Sequence, residues 1–228
     1  MNQVETIRER SQPAEVAQHY SNLRLSEGIE PTVLADIYDD NTHIAIWKRS
    51  LPQSLSDTVA EFIDANPTHK TSVVIAPQDA QTRLFDLFGH LTSREFCDDV
   101  ATLVDMFCTL FELEQAGVRL SVLDNAMCPK FHVDRIPCRL ITTYRGVATE
   151  WLQHEHVDRS KLGHQCNGVA DHESGLFNSG QRIQQLNQGD VALLKGDVWR
   201  GNEGKGLVHR SPSTQDSRRL LLTLDMVS

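Results

Sequence analysis

CPKFHVDRIPCRLITTYRGVATEWL, residues 128–152, lies where this sequence changes its grammar. Before Gly117 the apolar residues recur at helical steps. After it they fall in short runs separated by turn residues. In a strand alternate side chains share a face, so His132 and Asp134 of FHVD (131–134) point one way and Val133 the other. The same stretch continues into two further expected strands, CRLITTY (138–144) and EWL (150–152).

Strand patterns extend in both directions from this stretch. VRLSVLDN (118–125) precedes it, and RIQQL (182–186), DVALLKG (190–196), GLVHRS (206–211) and RRLLLTLD (218–225) follow. Many short strands divided by turns predict a barrel or sandwich. Between them, residues 153–181 are rich in His, Gly, Asn and Ser and read as a long loop, a place where function or mobility concentrates. Upstream, HIAIWKR (43–49) and KTSVVIAP (70–77, closed by proline) read as strands, and QSLSDTVAEFIDAN (53–66) as a helix. The strongest helical pattern is residues 92–117. Thr92 with Glu95 fits a capping box, Phe96, Val100, Leu103, Val104, Phe107, Leu110 and Phe111 form a broad apolar face, and Gly117 suits the stop. Residues 1–30 are polar and interrupted by Pro13, an expected arm.

Composition excludes several classes. The chain has 228 residues, enough for one sizeable core, and a formal charge of −9. An acidic chain without a run of five basic residues gains little from phosphate backbones, so nucleic acid is not an expected partner. The opening MNQVETIRERSQPAEV lacks a signal-like apolar run, and no stretch approaches the roughly 20 apolar residues of a membrane span. A cytoplasmic location follows as the expectation. Five cysteines without a CxxC pattern argue against a disulfide framework, and Cys97 and Cys108 fall in the helical pattern as core residues.

The chemistry-bearing residues lie in the strand-rich half. His132 and Asp134 offer an imidazole and a carboxylate to one ion, and His209, 75 residues beyond Asp134, is the best third ligand. Two histidines and a carboxylate on one side of a metal leave positions open for a co-substrate and O₂, as in non-haem Fe(II) oxygenases. Arg218 and Arg219 open the next strand, and a guanidinium there would grip an acid through two parallel hydrogen bonds. Arg218 faces inward if Leu220, Leu222 and Leu224 do, Arg219 if Leu221 and Thr223 do; Arg218 is the preferred choice. Tyr144 is a further candidate for the same carboxylate, or a half-buried strand residue. Against these stand blander readings: His132 and Asp134 as a surface pair, His209 as a core histidine. A zinc site using Cys128, His132 and Cys138, or loose metal binding by His154, His156, His164, Cys166 and His172 in the loop, are also open.

HxD at 132–134, the late His209 and a basic residue about ten positions beyond resemble the iron- and 2-oxoglutarate-dependent oxygenase superfamily. CRLITTYRGVATEWL, QGDVALLKG and LVHRSPSTQDSRRLLLTLD stand where the prolyl-hydroxylase-like branch has its successive strands. That resemblance implies an α+β, mainly β fold: a double-stranded β-helix (jelly-roll or cupin-like) barrel over 119–228, braced by an α/β part at 31–118 with supporting helices. It also implies Fe(II) on His132, Asp134 and His209, with 2-oxoglutarate anchored by Arg218 or Arg219. The substrate would be a small molecule or a protein side chain. More narrowly, FHVD…PCRLITTYRG…TEWL with GDVALLKG…HRSP…RRLLLTLD, and the upstream HIAIWKR, resemble domain-of-unknown-function family 1826 over residues 35–228, a likeness that implies no activity. The alternatives are a cupin-like protein that handles zinc or another divalent ion without catalysis, and a barrel without metal serving as an interaction module. A buried arginine facing the metal separates the first of these from an oxygenase.

Overall fold

Alternation along the strands sorts the molecule into layers. The computed structural model describes residues 23–162, 169–178, 180, 182–214 and 217–227. Its strands are β1 (Arg24–Gly28), β2 (Thr42–Trp47), β3 (Lys70–Ile75), β4 (Ala116–Leu123), β5 (Cys138–Arg145), β6 (Glu150–Leu152), β7 (Gln184–Gln185), β8 (Val191–Lys195), β9 (Val208–Arg210) and β10 (Arg219–Met226). Three α-helices accompany them among the described residues: α1 (Gln53–Ala65), α2 (Pro77–Phe88) and α3 (Arg94–Phe111). Seven strands form one sheet in the order β1-β2-β8-β5-β10-β4-β3, and three form a second in the order β7-β6-β9.

On one face of the large sheet, Leu120, Leu140, Tyr144, Leu193, Leu220, Leu222 and Leu224 pack with Val59, Phe62, Val100, Leu103 and Phe107 of α1 and α3. The residues between them along the strands, Ile141, Ala192, Leu194 and Leu221, pack instead with Trp151, Leu186 and Leu207 around the small sheet. The order is therefore helices, large sheet, small sheet. Each fully buried leucine or phenylalanine in these two layers contributes roughly 1.5–3 kcal/mol over exposure. The molecule is mixed α/β with one large sheet, and the two sheets remain separate among the described residues, without the closed barrel that short strands alone suggested.

Several boundaries differ from the sequence reading, each for a local reason. The α3 helix is capped by Ser93, whose hydroxyl accepts the Phe96 N–H at 3.2 Å, one residue past the expected Thr92. It ends at Glu112, which takes the left-handed conformation (φ 52°), so Gly117 is no helix stop but a β4 residue paired with Val74 and Asp225. Pro77 does not merely close β3; it occupies the first turn of α2, where its missing N–H costs nothing. That helix buries Ala80, Leu84 and Phe88 at four-residue steps among mostly polar residues. The polar arm expected over 1–30 yields to β1, which pairs in parallel with β2, while residues 1–22 lie outside the described residues. The N-terminal part thus supplies β1 and β2 at one edge of the large sheet and β3 at the other.

Residues 131–134 do not form a continuous strand. They join β9 through one antiparallel bridge, in which His132 N–H donates to His209 O and His209 N–H to His132 O, each at 3.0 Å. Pro129 and Pro137 flank the segment and lack the donors that would extend the ladder. The bridge still aligns the segment beside β9 as the next member of the small sheet.

Candidate metal centre

That bridge sets the two histidines side by side, their ring centroids 4.6 Å apart. Phe131 and Val133 turn the other way, into a separate apolar cluster with Leu152, Leu176, Phe177 and Val208. Asp171 fixes the segment from that side: its carboxylate accepts the Phe131 N–H at 2.9 Å and pairs with Arg210 at 3.3 Å. Gly196 closes the opposite side. A Cβ there would run into Ile136 O and Asp134 O, so only glycine lets the end of β8 lie against the backbone that carries Asp134.

Each histidine is oriented by its own chain. His132 Nδ1 lies 3.0 Å from Lys130 O, and His209 Nδ1 lies 3.1 Å from Leu207 O. A carbonyl can only accept, so both Nδ1 atoms carry the proton and both Nε2 atoms present a lone pair. His132 Nε2 is 3.8 Å from Asp134 Oδ1, and His209 Nε2 is 3.6 Å from Asp134 Oδ2. Among the described residues these three side chains are the group of His, Cys, Asp or Glu whose ligand atoms all lie within 4.8 Å of one another. Burial pushes the His209 imidazole down to about 4, against the pull of Asp134, so it is neutral and able to donate to a cation at neutral pH. Two imidazole nitrogens and one carboxylate suit a divalent transition metal.

The centre opens into a cavity of about 100 Å³ that Arg219, Thr149, Ser211, Leu221 and Thr223 also line. Arg219 is 1 % exposed, yet no carboxylate among the described residues pairs with it. Its guanidinium donates to Ser211 Oγ at 3.1 Å, Thr143 Oγ1 at 3.2 Å and Thr149 Oγ1 at 2.8 Å, and Nε–H has no partner. Burial lowers its pKa to about 10, which still leaves it charged at neutral pH. A buried cation surrounded by hydroxyls, with a donor to spare, is a receptor for an anion.

Other sequence candidates are placed elsewhere. The preferred Arg218 is exposed beside Asp64 and Asp124; Leu220, Leu222 and Leu224 face the helices, so Arg219, Leu221 and Thr223 face the centre. Tyr144 lies on the helix face, donating to Asp99 Oδ2 at 2.6 Å, and cannot reach the cavity. Cys128 is at the rim, whereas Cys138 is fully buried in the helix layer, so the two cysteines do not share a site with His132. In the loop, His154 Nδ1 accepts from Arg159 and His172 is exposed, while His164 and Cys166 lie outside the described residues. Leu176 and Phe177 pack behind the small sheet, away from the cavity, and this part of the loop braces the centre from behind.

Sequence reasoning missed Arg139, Asp225, Ser211, Thr143 and Thr149. Strand alternation was the available signal: Arg139, Ile141 and Thr143 share a face of β5, as do Arg219, Leu221, Thr223 and Asp225 of β10.

The family described as "Protein of unknown function (DUF1826)" matches residues 28–225. No curated protein matches the chain. Among solved structures it is similar to a rice dioxygenase for auxin oxidation, at 12% identity over 90% of this chain and 83% of that one, with a TM-score of 0.47. It is similar to a full-length Neurospora crassa protein in complex with alpha-KG and 5-formyluracil, at 11% identity over 90% and 84%, TM-score 0.44. A Pseudomonas putida prolyl-4-hydroxylase is similar at 9% identity over 86% and 98%, TM-score 0.40. None of these scores reaches 0.5.

Proposed function

The chain belongs to the DUF1826 family, whose function is unknown, and from the geometry of its site we propose that it is an Fe(II)- and 2-oxoglutarate-dependent oxygenase whose facing sheets form a double-stranded β-helix. The observation that carries this reading is Arg219: a buried guanidinium without a carboxylate, lining the same cavity as His132 and His209. A protein that only stores or delivers a metal ion has no use for such a group. His132, Asp134 and His209 would hold the iron, and Arg219, helped by the Thr149 and Ser211 hydroxyls, would bind the far carboxylate of 2-oxoglutarate. When bound, iron and 2-oxoglutarate supply the activation of O₂ for attack on a C–H bond.

The chain's own residues bind, orient and shield. Lys130 O and Leu207 O fix the imidazole tautomers. Ile141 and Leu221 give the cavity apolar walls that limit water. Arg119, Met127 and Cys128 form its exposed rim, where a small molecule or an amino-acid side chain would enter.

The test is an anaerobic titration of Fe(II) and then 2-oxoglutarate into the purified protein, followed by visible absorption. A charge-transfer band that is lost in His132→Ala and weakened in Arg219→Ala, but kept in Arg218→Ala, is the expected result. Metal binding without the band would favour a metal-handling protein. No metal binding would make His132 and Asp134 a surface pair.

A further inference from the structure

We infer that Arg139 is a positioning residue for the carboxylate of the metal centre and that Asp225 holds it to that task; the inference rests on the metal-site reading of His132, Asp134 and His209. Arg139 projects from β5 toward the cavity, and Asp225 is its partner in the β5–β10 register. One guanidinium N–H donates to Asp134 Oδ2 at 2.7 Å. The side-on edge, Nε and the other terminal nitrogen, grips Asp225 Oδ1 at 2.7 Å and Oδ2 at 3.2 Å. Asp225 Oδ2 also takes Arg119 at 3.3 Å. Two arginines and two aspartates therefore run in a line from the rim of the cavity to the metal carboxylate, with no net charge.

The line has a chemical consequence at Asp134. The two carboxylate oxygens face one histidine each, Oδ1 toward His132 and Oδ2 toward His209, but only Oδ2 carries the Arg139 hydrogen bond, so Oδ1 is the freer ligand atom and the carboxylate is disposed to bind through it alone. Single-atom binding keeps a position open on the metal for a co-substrate. Arginine suits this better than lysine because its planar fork reaches two carboxylates in fixed directions. A simple strand staple does not account for the contact: β5 and β10 are already paired along their length, and stapling them requires no contact to Asp134.

Co(II) titration of the full chain, read by visible absorption and accompanied by thermal melting without metal, tests the inference. Outer partners of metal ligands typically govern affinity by about 10–100-fold. Arg139→Gln is expected to weaken Co(II) binding to that degree and to alter the absorption envelope, with Arg139→Lys recovering part of both. Asp225→Asn is expected to cause a smaller loss that disappears in the Arg139→Gln background, since it acts through Arg139. Should Arg139→Gln fail to fold, Arg139→Lys and Asp225→Asn carry the same test. His132→Ala keeps the two levels apart. If the wild type does not bind Co(II), or binds it without His132, the metal-site reading fails. If binding needs His132 but is unchanged in affinity and spectrum across the Arg139 and Asp225 variants, the positioning role is overturned and the metal site stands.

Discussion

Arg219 sits where a charge is costly. Its pKa, lowered to about 10 from an ordinary 12.5, corresponds to about 3 kcal/mol of penalty on the charged form, as an order of magnitude. On the proposed reading that penalty is borne for a ligand, and the trade between stability and function predicts how its removal behaves. Arg219→Met is expected to melt no lower than the wild type, while 2-oxoglutarate binding measured by calorimetry on the metal-loaded protein falls at least tenfold. A melting temperature several degrees lower would instead mark Arg219 as a structural residue. The type and spacing of this group were legible in the sequence, because a guanidinium ten residues past His209 is visible in one dimension. Its orientation was not. RRLLLTLD reads equally well in either register, and the choice falls to α1 and α3, which claim Leu220, Leu222 and Leu224 for the helix layer.

At the scale of elements, the centre depends on a segment that is barely secondary structure. Residues 131–134 are held by one bridge to β9, by the Asp171 carboxylate and by the tight approach of Gly196. Gly196→Ala is expected to push the Asp134–Ile136 backbone outward, so that Co(II) affinity falls more than tenfold with a stability loss of about 1–3 kcal/mol, the usual range for overpacking. Calorimetry of metal binding together with urea denaturation checks both numbers. Gly189→Ala, which meets Arg49 O and Leu51 away from the cavity, serves as the control. Elements with a repeating apolar pattern, α1, α3, β2 and β5, were legible as elements. Those made by partners were not: α2 is a mostly polar helix opened by a proline that looks like a strand end, and β1 is visible only through β2. Tyr144 shows the same limit, since nothing local says that Asp99 waits on the helix side.

For the whole molecule, acid stability is a property that buried histidines decide together. His43 lies in β2 where the pairing with β1 slips between Arg24 and Leu25, and both its ring nitrogens are buried. Burial first, then the charges of His154, Arg159 and Lys195, push it down to about 3. Between pH 6.5 and that value the unfolded chain binds a proton that the folded chain refuses, so stability falls as pH falls. For this one group the loss at pH 5 is about 2 kcal/mol. His154 and His209, each at about 4, add in the same direction. Melting temperature followed from pH 7 to pH 5 is expected to drop steeply in the wild type and less steeply in His43→Leu; equal slopes would remove His43 from this account. The strand-rich C-terminal half was legible from its short apolar runs and turn residues, and the mixed α/β class from the helical patterns before it, whereas the open sheets in place of a closed barrel were not. The sheet order was not, because it brings β2 beside β8 and β3 beside β4, pairings of distant segments for which a single sequence holds no local signal.

The place of β10 carries a consequence in time. It is the last strand in the sequence, yet it lies between β5 and β4 in the middle of the large sheet. On a ribosome, everything needed for the ligand set, His132, Asp134 and His209, is made before β10, but the sheet beneath it stays in two halves until residue 226 has emerged. The nascent chain thus waits with β4 and β5 unjoined, a slow and non-local closure. Arg219 arrives in the same strand that joins β5 to β4, so the buried guanidinium of the cavity and the continuous sheet come into being together.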